Sequence, residues 1–236
     1  MTTTLALTGK SGSGKTTFVK GFCDVIKEKF PEKTILLVDN DLTQELTESF
    51  GLSTRTTIYG IRSGKHEYRT GIPSGMTKQE YIEWALEDIL VSVDENVDII
   101  ASWLVASKDC RCPITRQMDD ALVKLIERYD FVIFDCEFDL NYLNQLVDYP
   151  IDTTLIITNP DLKSVHLANN IYSYSQKYAD KGQMGIILNK IKEQDEAAIE
   201  QASSFGLNIL GRATKGEDVK EAIKNFYPRL NLPQTE

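Results

Sequence analysis

At 236 residues and 26.6 kDa, with 42% apolar and 26% charged residues, the chain suits one α/β domain with a large core. A net charge of -9 and a pI near 4.9, without any basic run, exclude a surface built to coat nucleic acid. No apolar stretch is long enough to span a bilayer, no basic and apolar leader precedes Thr2, and Pro228 interrupts the only C-terminal amphipathic segment, so a cytoplasmic protein without a membrane partner is expected.

Apolar runs alternate with helical patterns along the whole chain, the signature of a doubly wound, mainly parallel α/β sheet. The pattern predicts strands at Thr3–Thr8, Thr34–Val38, Asp98–Leu104, Phe131–Asp135, Thr153–Thr158, Gly185–Asn189 and Asn208–Leu210. Helices are predicted to start near Lys15, Leu42, Thr77, Ile114, Asn141, Leu162, Gln194 and Glu217. Residues 53–76 break the alternation. Gly60, Gly64, Gly71, Pro73 and Gly75 punctuate them, with Arg55, Arg62, Lys65 and Arg69 interspersed, which predicts an irregular insertion within a single domain spanning 1–236.

Between the first strand and the first helix lies Gly9-Lys10-Ser11-Gly12-Ser13-Gly14-Lys15-Thr16, followed by Thr17. This is a phosphate-binding loop, G-x-x-x-x-G-K-[ST], in the strand-to-helix context the motif requires. Glycines let backbone N–H groups turn toward a polyphosphate, and the following helix adds its positive end. Lys15 is expected on the β- and γ-phosphate oxygens and the Thr16 hydroxyl on Mg²⁺. A nucleoside triphosphate ligand is the expectation.

Three further groups fall at strand ends, where an open α/β sheet binds its ligand. Asp39-Asn40-Asp41 follows the second strand and offers carboxylates to hold Mg²⁺ or orient a water, or else forms a strand-end turn. Asp135 closes the strand Phe131-Val132-Ile133-Phe134 as a Mg²⁺ partner opposite the loop. Asn189 ends another strand, where its amide would read adenine or simply serve a turn. The guanine-reading N-K-x-D pattern is broken by Lys192, so ATP is favoured.

Cys110-Arg111-Cys112-Pro113 places two thiols one residue apart, either incidental or both turned toward one soft metal. A two-fold dimer would supply four such sulfurs to Ni²⁺ or Zn²⁺. Cys23 and Cys136 are expected in the core, Trp84 and Trp103 as packing residues, and His66 and His166 away from the site. Tyr172, Tyr174 and Tyr178 share one helix, where packing is expected.

Lys10 together with Lys15 resembles the deviant phosphate loop G-K-G-G-x-G-K-[ST] of the MinD, ParA and nitrogenase iron protein class. That resemblance implies an ATPase homodimer closed around two ATP molecules, with Lys10 crossing to the partner's phosphates and Lys10, Lys15 and Asp41 carrying the chemistry. The added C-x-C-P resembles the CooC-type nickel-insertion ATPases. It implies metal held by Cys110 and Cys112 at the dimer axis and delivered to a client metalloenzyme such as carbon monoxide dehydrogenase. Two departures stand out: Ser11 replaces a glycine, and Asp135-Cys136-Glu137-Phe138-Asp139 lacks the glycine usual after the second acid. Competing readings are a metal-free positioning ATPase and a small-molecule kinase whose lid would draw on Arg62 and Arg69.

Overall fold

The computed structural model describes residues 1–41, 43–63, 71–102, 113–136, 150–175 and 182–234. Eight strands form one sheet: β1 (Thr3–Thr8), β2 (Ile35–Asn40), β3 (Val91–Asp94), β4 (Val97–Ala101), β5 (Phe131–Cys136), β6 (Thr153–Thr158), β7 (Gln183–Ile191) and β8 (Ile209–Thr214). Their spatial order is β3-β4-β2-β5-β1-β6-β7-β8, parallel throughout except for the antiparallel edge strand β3.

The helices are α1 (Lys15–Lys29), α2 (Glu45–Ser49), α3 (Ile58–Ser63), α4 (Lys78–Asp88), α5 (Pro113–Ile126), α6 (Leu162–Ser175), α7 (Glu196–Ser204) and α8 (Val219–Phe226). Helix α4 begins where its sequence signals a start. The Thr77 hydroxyl accepts from Glu80 N–H, and the Glu80 carboxylate returns a bond to Thr77 N–H, a capping box.

Strand residues of opposite parity face opposite layers. Leu5, Leu7, Ile35, Leu37 and Ile133 pack with Phe18 and Phe22 of α1 and with Ile223 and Phe226 of α8. Ala6, Leu36, Val38, Val132 and Phe134 pack with Met118 and Leu122 of α5 and Ile82 and Leu86 of α4. Toward the β7 side, Ile156, Ile186 and Leu188 meet Val165 and Ala168 of α6 and Ala198 and Ala202 of α7. Burial on both faces explains why these strands read as continuous apolar runs. Each fully buried Leu, Ile or Phe side chain contributes roughly 1.5–3 kcal/mol.

Several expectations are corrected. Strand β3 was not foreseen; its four residues alternate between half-buried and exposed and follow α4 with little punctuation. Strand β2 runs on through Asp39 and Asn40, while β4 stops at Ala101, short of the predicted Leu104. The second helix starts at Glu45, not near Leu42. The predicted irregular insertion contains a helical turn, α3, because Ile58 inserts fully into the core. The helix expected near Asn141 lies outside the described residues, as do Cys110, Cys112, Trp103, His66, Arg69 and Tyr178.

Candidate nucleotide site

The phosphate loop leaves β1 at the centre of the sheet and is shaped by three glycines with positive φ: Gly9 at 140°, Gly12 at 74° and Gly14 at 100°. A side chain at Gly9 would sit 2.1 Å from the carbonyl oxygen of Ile157 on neighbouring β6, so only glycine fits. The loop is cinched by a bond from Ser13 N–H to the Lys10 carbonyl at 3.1 Å.

Helix α1 starts without the usual protection. Gly14 caps it in the left-handed region, with no side-chain cap and no acidic residue in the first turn. Its first N–H groups and positive dipole end are left for an anion. The buried Lys15 ammonium donates to the Lys10 carbonyl at 3.3 Å, folded back over the loop. The hydroxyls of Ser13 and Thr8 are buried without a partner among the described residues. Orphaned polar atoms, an uncapped helix and a lysine over the cradle all fit a polyphosphate. Lys10 and Ser11 are exposed on the loop's outer turn.

Asp39 and Asp135 lie in register on adjacent strands β2 and β5, on the face covered by α1. The Thr16 hydroxyl donates to Asp135 Oδ2 at 2.8 Å. Burial pushes the Asp135 carboxyl up to about 7, against the Thr16 bond and the Lys15 charge, while Asp39 and Asp41 push it further. Asp39 is fully buried and accepts from Thr47 N–H at 2.8 Å and the Thr47 hydroxyl at 2.6 Å, latching α2 to the sheet. Burial raises its pKa too, opposed by those same bonds. Asp41 stands at the rim and accepts from the N–H and hydroxyl of Thr43, both at 2.9 Å, an Asx turn.

Among the described residues no three His, Cys, Asp or Glu side chains come together as a metal cage. The donor set that remains, Thr16 with Asp135 behind it, suits Mg²⁺, which keeps several waters and binds through one or two protein groups plus phosphates.

Asn189 is placed differently from the expectation that its amide reads a base. It is buried beneath the loop, donating to the Ser13 carbonyl at 2.7 Å, with its own oxygen taken by Lys190 N–H at 2.8 Å. Beside the loop, at the C-terminal ends of β6 and β7, lies a cleft of about 280 Å³ lined by Asn159, Pro160, Asp161, Lys190, Lys192, Asp195 and Lys215. There the Asn159 side-chain oxygen is buried without a partner among the described residues. Such an oxygen can accept from an N–H group entering the cleft, and Asn159 was missed in the sequence. Its one sequence signal is its position at the end of a predicted strand.

Residues 2–186 match the AAA domain family designated AAA_31. The chain belongs to that family. A relative, the uncharacterized ATP-binding protein MJ0685 of Methanocaldococcus jannaschii, is 27% identical over 234 residues, covering 98% of this chain and 91% of its own. The fold matches MinD in the MinC:MinD cell division complex of Aquifex aeolicus, with a TM-score of 0.67 at 17% identity, over 99% of this chain and 98% of that one. It also matches cobyrinic acid a,c-diamide synthase of Mycobacterium smegmatis with bound ADP and magnesium, with a TM-score of 0.68 at 20% identity, over 97% and 93% of the two chains. The architecture is therefore that of the MinD-type P-loop ATPases.

Other residues fall into place around this site. Cys23 and Cys136 are buried, and burial pushes the Cys23 thiol up to about 12, an unreactive core residue as expected. His166 stacks edge-on against Phe205 at 4.9 Å, on the surface between α6 and α7. Trp84 departs from its expected packing role: it is 53% exposed and leans on Tyr81 at 5.8 Å. Tyr172 packs against the core, whereas Tyr174 is 39% exposed. No helix among the described residues is long and apolar enough to cross a membrane.

Proposed function

We propose that the chain is a cytoplasmic, Mg²⁺-dependent ATPase that closes as a homodimer over its nucleotides. The observation that carries this reading is the Thr16–Asp135 bond at the mouth of an uncapped phosphate loop. Bound Mg²⁺–ATP supplies the phosphoanhydride and neutralises charge on the transferring group. The protein's part is positional and electrostatic. Backbone N–H groups of the loop and the α1 terminus hold the phosphates, and Lys15 exchanges the Lys10 carbonyl for phosphate oxygens. Thr16 turns its hydroxyl oxygen to the ion with Asp135 behind it, and Asp41, the accessible rim carboxylate, orients the attacking water. Lys10 is exposed where it would reach a second protomer, adding positive charge in a closed interface.

Phosphate release from ATP, measured with Mg²⁺ and with EDTA, tests this reading directly. Lys15→Ala should abolish turnover, and Lys10→Ala should abolish both turnover and ATP-dependent dimerisation in gel filtration. Release only in the presence of an added acceptor would instead identify a kinase.

A second, finer reading rests on the sequence alone, on Cys110-x-Cys112, which falls between β4 and α5 in chain order and lies outside the described residues. Four sulfurs from two chains would hold one Ni²⁺ or Zn²⁺ on the axis, for delivery to a client metalloenzyme, carbon monoxide dehydrogenase being one such client. Metal analysis should give about one ion per two chains, lost in the C110S/C112S double variant with ATP binding intact. Retention of the ion in that variant overturns the cysteine site, and a wild type that binds no ion leaves the alternative, a positioning ATPase without metal.

A further inference from the structure

The pairing of β7 with β8 shifts register at two places, between Ile186 and Ile187 and again between Leu188 and Ile191, and the second adjoins the phosphate loop. Leu188 pairs with Arg212 and Ile191 with Thr214, so Asn189 and Lys190 together face the single residue Ala213. An extra residue of this kind bends a strand and re-aims its side chains, commonly beside an active site. Lys190 takes a φ of 61°, one of two non-glycine residues with positive φ among those described, in a region L side chains resist.

The bulge turns both side chains onto the phosphate loop. The Asn189 amide donates to the Ser13 carbonyl at 2.7 Å, and Lys190 Nζ donates to the Gly12 carbonyl at 2.8 Å. The Lys190 N–H bond to Asn189 Oδ1 fixes which way the amide faces. Two consecutive loop carbonyls are thus held by two consecutive strand residues more than 170 positions away. A side chain at Gly14 would stand 2.6 Å from Asn189 Nδ2, so glycine there lets the two segments close.

We propose that Asn189 and Lys190 are positioning residues that set the shape of the phosphate loop. Drawing the Gly12 and Ser13 carbonyls toward β7 keeps two acceptors away from the polyphosphate and leaves neighbouring N–H groups to face it. Lys190 is the adjustable prong, because it is exposed while Asn189 is buried. The backbone strain at Lys190 is maintained by these contacts and is part of the device. This inference rests on the ATP reading above. Since Lys190 also lines the adjoining cleft, the phosphate effect must be separated from a base effect.

Titration calorimetry on the full chain, with Mg²⁺–ATP and separately with adenosine, makes that separation. Lys190→Met keeps the aliphatic stem and removes the ammonium. It should weaken Mg²⁺–ATP binding at least fivefold, with adenosine affinity and the apo melting temperature unchanged. Lys190→Arg should restore ATP binding to within twofold of wild type. Unaltered ATP affinity in K190M, or a parallel loss of adenosine affinity, overturns the positioning role. A wild-type chain that does not bind Mg²⁺–ATP overturns the broader reading and this one with it, whereas a binding wild type beside an unaltered K190M overturns the clamp alone.

Discussion

The Thr16 hydroxyl and the Asp135 carboxylate, 119 residues apart in sequence, meet at 2.8 Å where α1 and β5 converge. Removing the hydroxyl should separate metal from nucleotide binding. Thr16→Ala is expected to weaken ATP binding about tenfold or more in Mg²⁺, roughly 1.4 kcal/mol per tenfold. Binding in EDTA should change little. Competition titrations under the two conditions check both halves, and Thr16→Ser should behave as wild type.

The raised pKa of Asp135 makes apo stability depend on pH with a definite sign. Because the folded chain holds this proton up to about 7 and the unfolded chain releases it near 3.8, stability at this group falls as pH rises between those values and is flat above. The full effect is on the order of 2–4 kcal/mol. Urea midpoints from pH 4.5 to 7.5 should therefore decline less steeply, or rise, in Asp135→Asn than in wild type.

Asp39 depends on Thr47 for two of its bonds. Thr47→Val keeps the shape and the backbone bond but strips one donor from a fully buried carboxylate. The expected loss is about 1–3 kcal/mol in urea unfolding, and the Asp39 carboxyl should move further up.

Gly14→Ala should combine backbone strain at φ 100° with a collision against the Asn189 amide. A loss of about 1–3 kcal/mol in stability is expected, together with loss of measurable ATP binding. Removing the opposing group, in Gly14→Ala/Asn189→Ala, should recover part of the stability but none of the binding.

Phe226 of α8 packs its ring 6.4 Å from Phe18 and 6.1 Å from Phe22 of α1. Phe226→Ala is expected to cost about 3–5 kcal/mol. Chemical denaturation measures it, and saturating Mg²⁺–ATP should recover part of the loss by mass action.

The reach of the sequence followed the range of the interactions. The strand–loop–helix around Gly9–Thr17 is local, and both the motif and its burial could be read from consecutive residues. The apolar runs of β5 and β6 announced strands covered on both faces for the same reason. Strand β3 escaped because Val91-Ser92-Val93-Asp94 acquires its meaning only from antiparallel pairing with β4. Asn189 was recognised as a site residue, yet its partner, the Ser13 carbonyl, lies 176 residues away, and no spacing rule connects them. Asn159 was missed, and Lys190 was seen only as the neighbour of Asn189 at a strand end, for the same cause: one is marked by a buried oxygen without a partner among the described residues, the other by a bulge.

The packing of α8 on α1 sets an order of events during synthesis. The loop and its helix are made well before α8, so one flank of α1 remains bare until Ile223 and Phe226 arrive to cover it. Lys220 and Lys224 then join Glu28, closing the rim of that contact. A nascent chain thus carries its triphosphate cradle before the cradle has its backing, and α1 is fully seated only once α8 has been made.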